Sequence, residues 1–249
     1  MKPWLKRLVS LLPESMQQAL RRSHYRRKLQ LARLTDEPDL AAIALLTKPG
    51  DTVLDIGANF GLFTRFLSES VGNEGTVYSF EPTGDMFTVL ENNCRSLGLK
   101  NAKPFRTALS DHSGISEMLI PVREDGTLNH YEASLEPVQS AASGGKTVRV
   151  ETSTLDEFCS HHGVDRVDFI KCDVEGHELE VLEGARGTLL HHRPTMLIEV
   201  NAPLDAGGHG SHVLEKVREL GYDIHTVKGN ELRPWQPGEV CVNYVLRPH

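Results

Sequence analysis

Cysteine is scarce in this chain. Its four cysteines, Cys94, Cys159, Cys172 and Cys241, stand far apart with no C-x-x-C pair. That excludes a disulfide framework and a cysteine zinc site, and it fits reduced thiols in a cytoplasmic protein. Long apolar runs are missing too, since none approaches the roughly 18 residues that a membrane span needs. The opening stretch, Met1 to Leu12, is broken by Lys6 and Arg7 and is followed by no small-residue cleavage pattern, so no signal peptide is expected. An N-P-P-Y-type motif, which serves exocyclic base amines, is absent, as is any internal repeat. What remains is ordinary for a globular chain: 249 residues, 39% hydrophobic and 24% charged, enough for one large α/β domain with a substantial core.

The net charge of −7 is unevenly spread. Residues 1–34 hold nine Lys or Arg against one acid, Glu14, so this segment is +8 and the remainder −15. An acidic body lacks the basic face of a nucleic-acid binder, and no nucleic acid is expected as partner. In the arm, Trp4, Leu5, Leu8, Val9, Leu11 and Leu12 gather on one helical face with Lys2, Lys6 and Arg7 around it. The plain reading is a charged helix packed on the body or on a second subunit, as in a homodimer. Peripheral contact with an anionic membrane surface, or with an acidic partner, is the alternative.

The most informative stretch is Asp51-Thr-Val-Leu-Asp-Ile-Gly-Ala-Asn-Phe-Gly61, followed twenty residues later by Phe80-Glu81-Pro82. Val53 to Ile56 reads as a buried parallel strand. Gly57 and Gly61 let the backbone approach a ligand where the next helix, from Leu62, opens. Glu81 ends a second strand, Thr76–Phe80, where a carboxylate can accept both hydroxyls of a ribose. The turn lacks the G-x-G-x-x-G spacing of a dinucleotide site. Asp55 beside it would repel a pyrophosphate but suits the cationic sulfonium and ammonium of S-adenosylmethionine. An ordinary strand-to-helix turn is the bland alternative, and it leaves Asp55 and Glu81 unexplained.

Further along, residues 1–48 read as an N-terminal helical arm, punctuated near Pro13, with a lead-in helix from Asp39. Residues 49–249 read as the main domain. A helix from Thr83 to Leu97 ends at Gly98, and Lys103–Ala108 and Ile115–Val122 have strand character. Residues 123–146 are polar and glycine-rich, an insertion or lid placed to shape an acceptor pocket. Thr154 and Glu157 fit a capping box. Val167–Cys172, Thr195–Val200, Tyr222–Val227 and Val240–Leu246 read as strands, with helices at Glu178–Ala185 and Ser211–Leu220 between them. Alternating strands and helices imply a doubly wound, mostly parallel sheet, with the last two strands paired as an antiparallel edge.

The second constellation is Val167-Asp-Phe-Ile-Lys-Cys-Asp-Val-Glu-Gly-His-Glu178. Asp173, Glu175 and His177 fall just beyond the C-terminal end of a buried strand, where open α/β sheets bind ligands. Helix capping by Asp173 or Glu175 is the bland alternative. With Asp55–Gly61, Glu81-Pro82 and Thr154-Leu155-Asp156, this stretch resembles the FkbM family of S-adenosylmethionine-dependent methyltransferases over roughly residues 50–200. The resemblance implies the class I, Rossmann-like methyltransferase fold, a seven-stranded mostly parallel sheet with helices on both faces. It also implies O-methylation of sugars, polyketides and other specialised or cell-surface metabolites. By position, Asp55, Gly57, Asn59 and Gly61 would surround the methionine part of the cofactor, and Glu81 the ribose. Ser110 and Asp111 would lie near the adenine, and Asp173 where the methionine end meets the acceptor.

An alcohol is a poor nucleophile and needs a base. His177 is the candidate by its ordinary pKa of ~6.5, with Asp173 and Glu175 orienting it. A Mg²⁺ ion held by Asp173, Glu175 and Glu199 is the alternative; the metal-free form stands first. The expected function is an S-adenosylmethionine-dependent O-methyltransferase acting on a small-molecule, sugar or glycan hydroxyl. An RNA- or amine-directed methyltransferase and a non-catalytic cofactor-binding protein are the competing readings.

Overall fold

Val53, Leu54 and Ile56 are buried on both faces of strand β1 (Thr52–Ile56), as befits a strand with a parallel neighbour on each side. The computed structural model describes residues 12–123, 126–135, 145–201, 208–229, 231–239 and 241–249. After β1 come α3 (Leu62–Val71), β2 (Thr76–Phe80), α4 (Gly84–Leu97), β3 (Ala102–Phe105), β4 (Ala108–Leu109), β5 (Gly114–Pro121) and β6 (Gly145–Ser153). The chain continues through α5 (Leu155–His162), β7 (Phe169–Cys172), α6 (Glu178–Gly184), α7 (Arg186–His192), β8 (Thr195–Glu199), α8 (His209–Glu219), β9 (Tyr222–Lys228), β10 (Glu231–Pro234) and β11 (Asn243–Pro248). Among the described residues, two helices precede β1: α1 (Glu14–Leu31) and α2 (Pro38–Leu46).

The main sheet runs β10-β9-β11-β8-β7-β1-β2-β3. From β8 to β3 all pairs are parallel, while β11 lies antiparallel between β8 and β9. The antiparallel edge thus matches expectation, but among the described residues the sheet has eight strands rather than seven. The added one, β10, is a hairpin return from β9. Its residues Glu231, Arg233 and Pro234 are exposed, so no buried alternation marks it. The expected strand Lys103–Ala108 is also divided. Ala102–Phe105 forms the edge of the main sheet, where Pro104 is tolerated. Ala108–Leu109 joins a second, three-stranded sheet, β4-β6-β5.

Side chains alternate across the main sheet to form two cores. Leu54, Ile56, Phe80 and Ile170 face one layer of helices; Val53, Val77, Phe169 and Leu197 face the other. Strand order reverses between β1 and β7, the switch point at which open α/β sheets form a crevice. Helix α1 begins just after Pro13, as expected from that proline, and packs on α4. Leu29 is fully buried there with Phe60, Met86 and Val89. The amphipathic stretch at residues 2–11 lies outside the described residues, as do residues 136–144 of the expected lid. Residues 126–135 fold back along β5, with Leu119 bridged to Ser134 and Val122 to Leu128. Among the described residues, no helix is long and apolar enough to cross a membrane.

Candidate active site

The C-terminal ends of β1, β2, β7 and β8 open into one cavity of about 270 Å³. Its floor is the turn after β1. The N–H groups of Gly57 and Ala58 both donate to the Phe80 carbonyl, at 3.1 and 2.9 Å. Gly57 has φ +81°, and a Cβ there would lie 1.8 Å from the Asp173 carbonyl oxygen. Only glycine lets these strand ends meet. Asn59 follows in the left-handed region at φ 50°. Its N–H donates to Glu81 Oε2 (3.1 Å) and its Nδ2 to the His130 carbonyl (3.3 Å), while its buried Oδ1 has no partner. Gly61, φ +92°, starts α3 against Leu90 and does not line the cavity.

Glu81 is buried at the next strand end. Its Oε1 accepts from the Thr83 N–H and hydroxyl at 2.9 and 2.5 Å. Burial pushes its carboxyl up, against the pull of these bonds and that of Asn59. Each oxygen keeps accepting capacity toward the cavity. Asp55 is placed differently from expectation: it is wholly buried and does not line the cavity. It accepts from the Thr64 hydroxyl at 2.5 Å and lies 4.0 Å from Lys171 Nζ. Its influence on the cavity runs through Lys171, which does line it.

Three carboxylates close the opposite side. Asp173, Glu175 and Glu199 each offer an oxygen within 4.8 Å of the others. Burial, then Asp173 and Glu199, push the Glu175 carboxyl up to about 7. Glu175 holds φ 54°, a conformation seldom kept by a non-glycine residue without surrounding support. Burial followed by Asp173 also raises Glu199. Lys171 donates to Asp173 Oδ2 at 3.0 Å and sits 4.7 Å over the Phe63 ring. Burial alone would favour its neutral amine, but Asp173 and Asp55 outweigh that and hold it above the ordinary lysine value.

The remaining expected residues divide. His177 lines the cavity, with Nε2 2.9 Å from Ser110 Oγ and Nδ1 3.5 Å from Glu180 Oε2. Ser110 is fully buried behind Thr107, Ala108 and Leu109, which do line it. Gly184 of α6 packs so closely on Ser110 that a Cβ would sit 1.9 Å from its carbonyl oxygen. Asp111 is a correction: it lies outside the cavity and half exposed, bonded to His112 at 2.6 Å. That bond holds its carboxyl below the usual range. Lys171 and the lining groups Lys28, His130 and Tyr131 were not picked out in the sequence. For Lys171 a signal existed, a lysine inside an otherwise apolar buried run.

The family described as the methyltransferase FkbM domain matches residues 55–224. The chain belongs to the FkbM methyltransferase family. The FkbM match contains every residue of the turn, Glu81, the carboxylate trio and His177. Lys28 on α1 lies outside it. The chain is 33% identical over 175 residues to the hexuronic acid methyltransferase AglP of Haloferax volcanii, covering 69% of this chain and 65% of that protein. It is 30% identical over 159 residues to the 2-O-methyltransferase NoeI of Sinorhizobium fredii, covering 61% of this chain and 64% of that one. It thus spans just under two thirds of these relatives' length. The crystal structure of a methyltransferase FkbM from Methylobacillus flagellatus superposes with a TM-score of 0.51 at 16% identity, covering 86% of this chain and 51% of the other. The FkbM domain has the class I methyltransferase fold.

Proposed function

We propose that this FkbM domain binds S-adenosylmethionine in the cavity and transfers its methyl group to a hydroxyl of a sugar or small-molecule acceptor. The observation that carries the reading is that Glu81 and Glu175 share one cavity: a carboxylate suited to a ribose diol, and a carboxyl poised near neutral pH. The residues fit the cofactor. The Gly57 turn leaves room where a side chain would collide, Glu81 is an acceptor for paired hydroxyls, and the orphaned Asn59 Oδ1 is an acceptor for an ammonium. When bound, S-adenosylmethionine supplies a methyl carbon activated by its sulfonium.

Glu175 takes the role of base. In its ionised form a carboxylate oxygen accepts the acceptor's hydroxyl proton, a contribution of roughly 10²–10⁴ in rate for a well-placed group. A pKa of about 7 suits that task. His177, named first by its ordinary chemistry, is engaged with Ser110 and Glu180, so we assign it to holding the end of β4 beside the cavity. Lys171 holds the Asp173 side chain in place through its hydrogen bond. The relatives support the acceptor class, NoeI being named for 2-O transfer and AglP for a hexuronic acid.

A second reading uses the same trio as oxygen ligands for Mg²⁺, their oxygens lying within 4.8 Å of one another. The Lys171 ammonium on Asp173 Oδ2 opposes a second cation there, which favours the metal-free form. The test is transfer of a labelled methyl group from S-adenosylmethionine to a panel of glycosides, with and without EDTA. Transfer that survives EDTA and is lost in Glu175→Gln supports the reading. Transfer lost to EDTA and restored by Mg²⁺ moves it to the metal form, and no transfer to any hydroxyl contradicts both.

A further inference from the structure

Helix α1 contributes to the cavity from outside the FkbM match. Its Lys28 stands at the rim, with Nζ 3.2 Å from the Tyr131 hydroxyl, 4.8 Å from the Phe60 ring centre and 5.5 Å from that of Tyr131. No carboxylate among the described residues forms an ion pair with it. The rings around it form a shelf: Tyr25 stacks on Phe60 at 4.9 Å, and the partly exposed Tyr131 meets Phe60 edge-on at 6.3 Å. Two anchors keep α1 in place, Arg21 bonded to Asp85 at 2.7 Å and Arg65 donating to the Leu29 carbonyl.

Beside Tyr131, His130 lines the cavity with its side chain only 6% exposed. Its Nε2 lies 3.5 Å from Arg21 Nη1, which can only donate, so Nε2 carries the lone pair and Nδ1 the proton. Nδ1 is buried and has no partner. Burial, then Arg21, with Lys146 and Arg123 adding to it against Asp85, push this imidazole down to about 4, so it is neutral at pH 7 and offers one N–H. The cavity is therefore polarised. One side holds Asp173, Glu175 and Glu199; the rim by α1 holds, among the described residues, the Lys28 ammonium without an ion pair and the neutral His130, with Glu37 as an acid.

We propose that the rim formed by Lys28, His130 and Tyr131 is an acceptor subsite for a sugar bearing one carboxylate, a uronic-acid unit. This rests on the methyl-transfer reading and names its acceptor more closely. An aromatic shelf suits the apolar face of a pyranose ring, and one ammonium beside Glu37 suits a single negative charge better than a phosphate dianion. The carboxylate is drawn to Lys28 and repelled by the trio. That orients the ring with a hydroxyl toward Glu175.

The test is calorimetric titration of the full chain, with S-adenosylhomocysteine present, by methyl β-D-glucuronide and by methyl β-D-glucoside. The wild type is expected to bind the glucuronide at least roughly tenfold more tightly, the range of a charge-assisted hydrogen bond. Lys28→Met removes the preference, Lys28→Arg retains it, and Tyr131→Ala weakens both sugars. Equal affinities, no binding of either sugar, or a preference that survives Lys28→Met would overturn the proposal. S-adenosylhomocysteine is titrated separately on each variant. Its failure to bind the wild type would strike the underlying cofactor reading, and the sugar titrations without it still report the rim's preference.

Discussion

Lys171 Nζ lies between two carboxylates, 3.0 Å from Asp173 Oδ2 and 4.0 Å from Asp55 Oδ1, with Asp55 wholly buried. One lysine thus neutralises the acid behind the glycine turn and fixes the acid at the cavity wall.

Lys171→Met leaves both carboxylates without their cation. Removing one partner of a buried pair costs about 3–5 kcal/mol, a fall in Tm on the order of 10 °C for a chain of this size. The loss is expected to be smaller at pH 5 than at pH 8. Asp55 already has a raised carboxyl pKa in the folded state, from burial above all. Without Lys171 the carboxyl is raised further, so as the pH falls the folded form of the variant takes up a proton before the unfolded form does, and part of the lost stability returns. Thermal melts across this pH range check the direction.

Methyl transfer is expected to rise with pH through about 7 and then level, because Glu175 must be ionised to accept a proton. Stability runs the other way. The Glu175 carboxyl is raised in the folded state, so stability falls as pH climbs from the ordinary carboxylate range to about 7 and is flat above. Glu175→Gln should lower turnover by roughly 10²–10⁴ while raising Tm at pH 8. A rate profile on one acceptor, with melts on the same samples, reads both.

His177→Gln separates positioning from proton transfer. The variant disturbs the bond to Ser110 and should lower stability by about 1 kcal/mol, as for one buried hydrogen bond. The midpoint of the rate profile should stay near 7. A profile that lost its rise would return the base to His177.

Gly57→Ala forces a methyl group into the Asp173 carbonyl at a backbone φ of +81°. The turn or β7 must shift, at a cost on the order of 3 kcal/mol. Affinity for S-adenosylhomocysteine should fall with it. Gly98→Ala, also at positive φ (+68°) but with nothing within 4 Å of its Cβ, is the control for backbone strain alone.

Short-range pattern carried much of this in the sequence. The apolar strand, the Gly57 turn and Glu81 lie within thirty residues, and their chemistry follows from spacing. The acidic trio was named in the sequence: Asp173 and Glu175 stand two positions apart, and Glu199 ends the next strand, β8, which lies beside β7. Asp55 was misplaced because strand alternation does not reveal which face the turn leaves open. Asp111 looked like a ligand since it follows a strand, but β4 belongs to the second sheet and turns that side chain to solvent. Lys28 and Tyr131 are separated by 103 positions, and no local pattern joins them.

The central claim is that this cavity is an S-adenosylmethionine site with Glu81 on the ribose. Calorimetric titration of S-adenosylhomocysteine into the wild type and Glu81→Gln tests it most directly. The account predicts micromolar binding by the wild type, weakened roughly 10- to 100-fold in the variant, as expected for a charged hydrogen-bonding group. No binding by the wild type, or undiminished binding by Glu81→Gln, would contradict it.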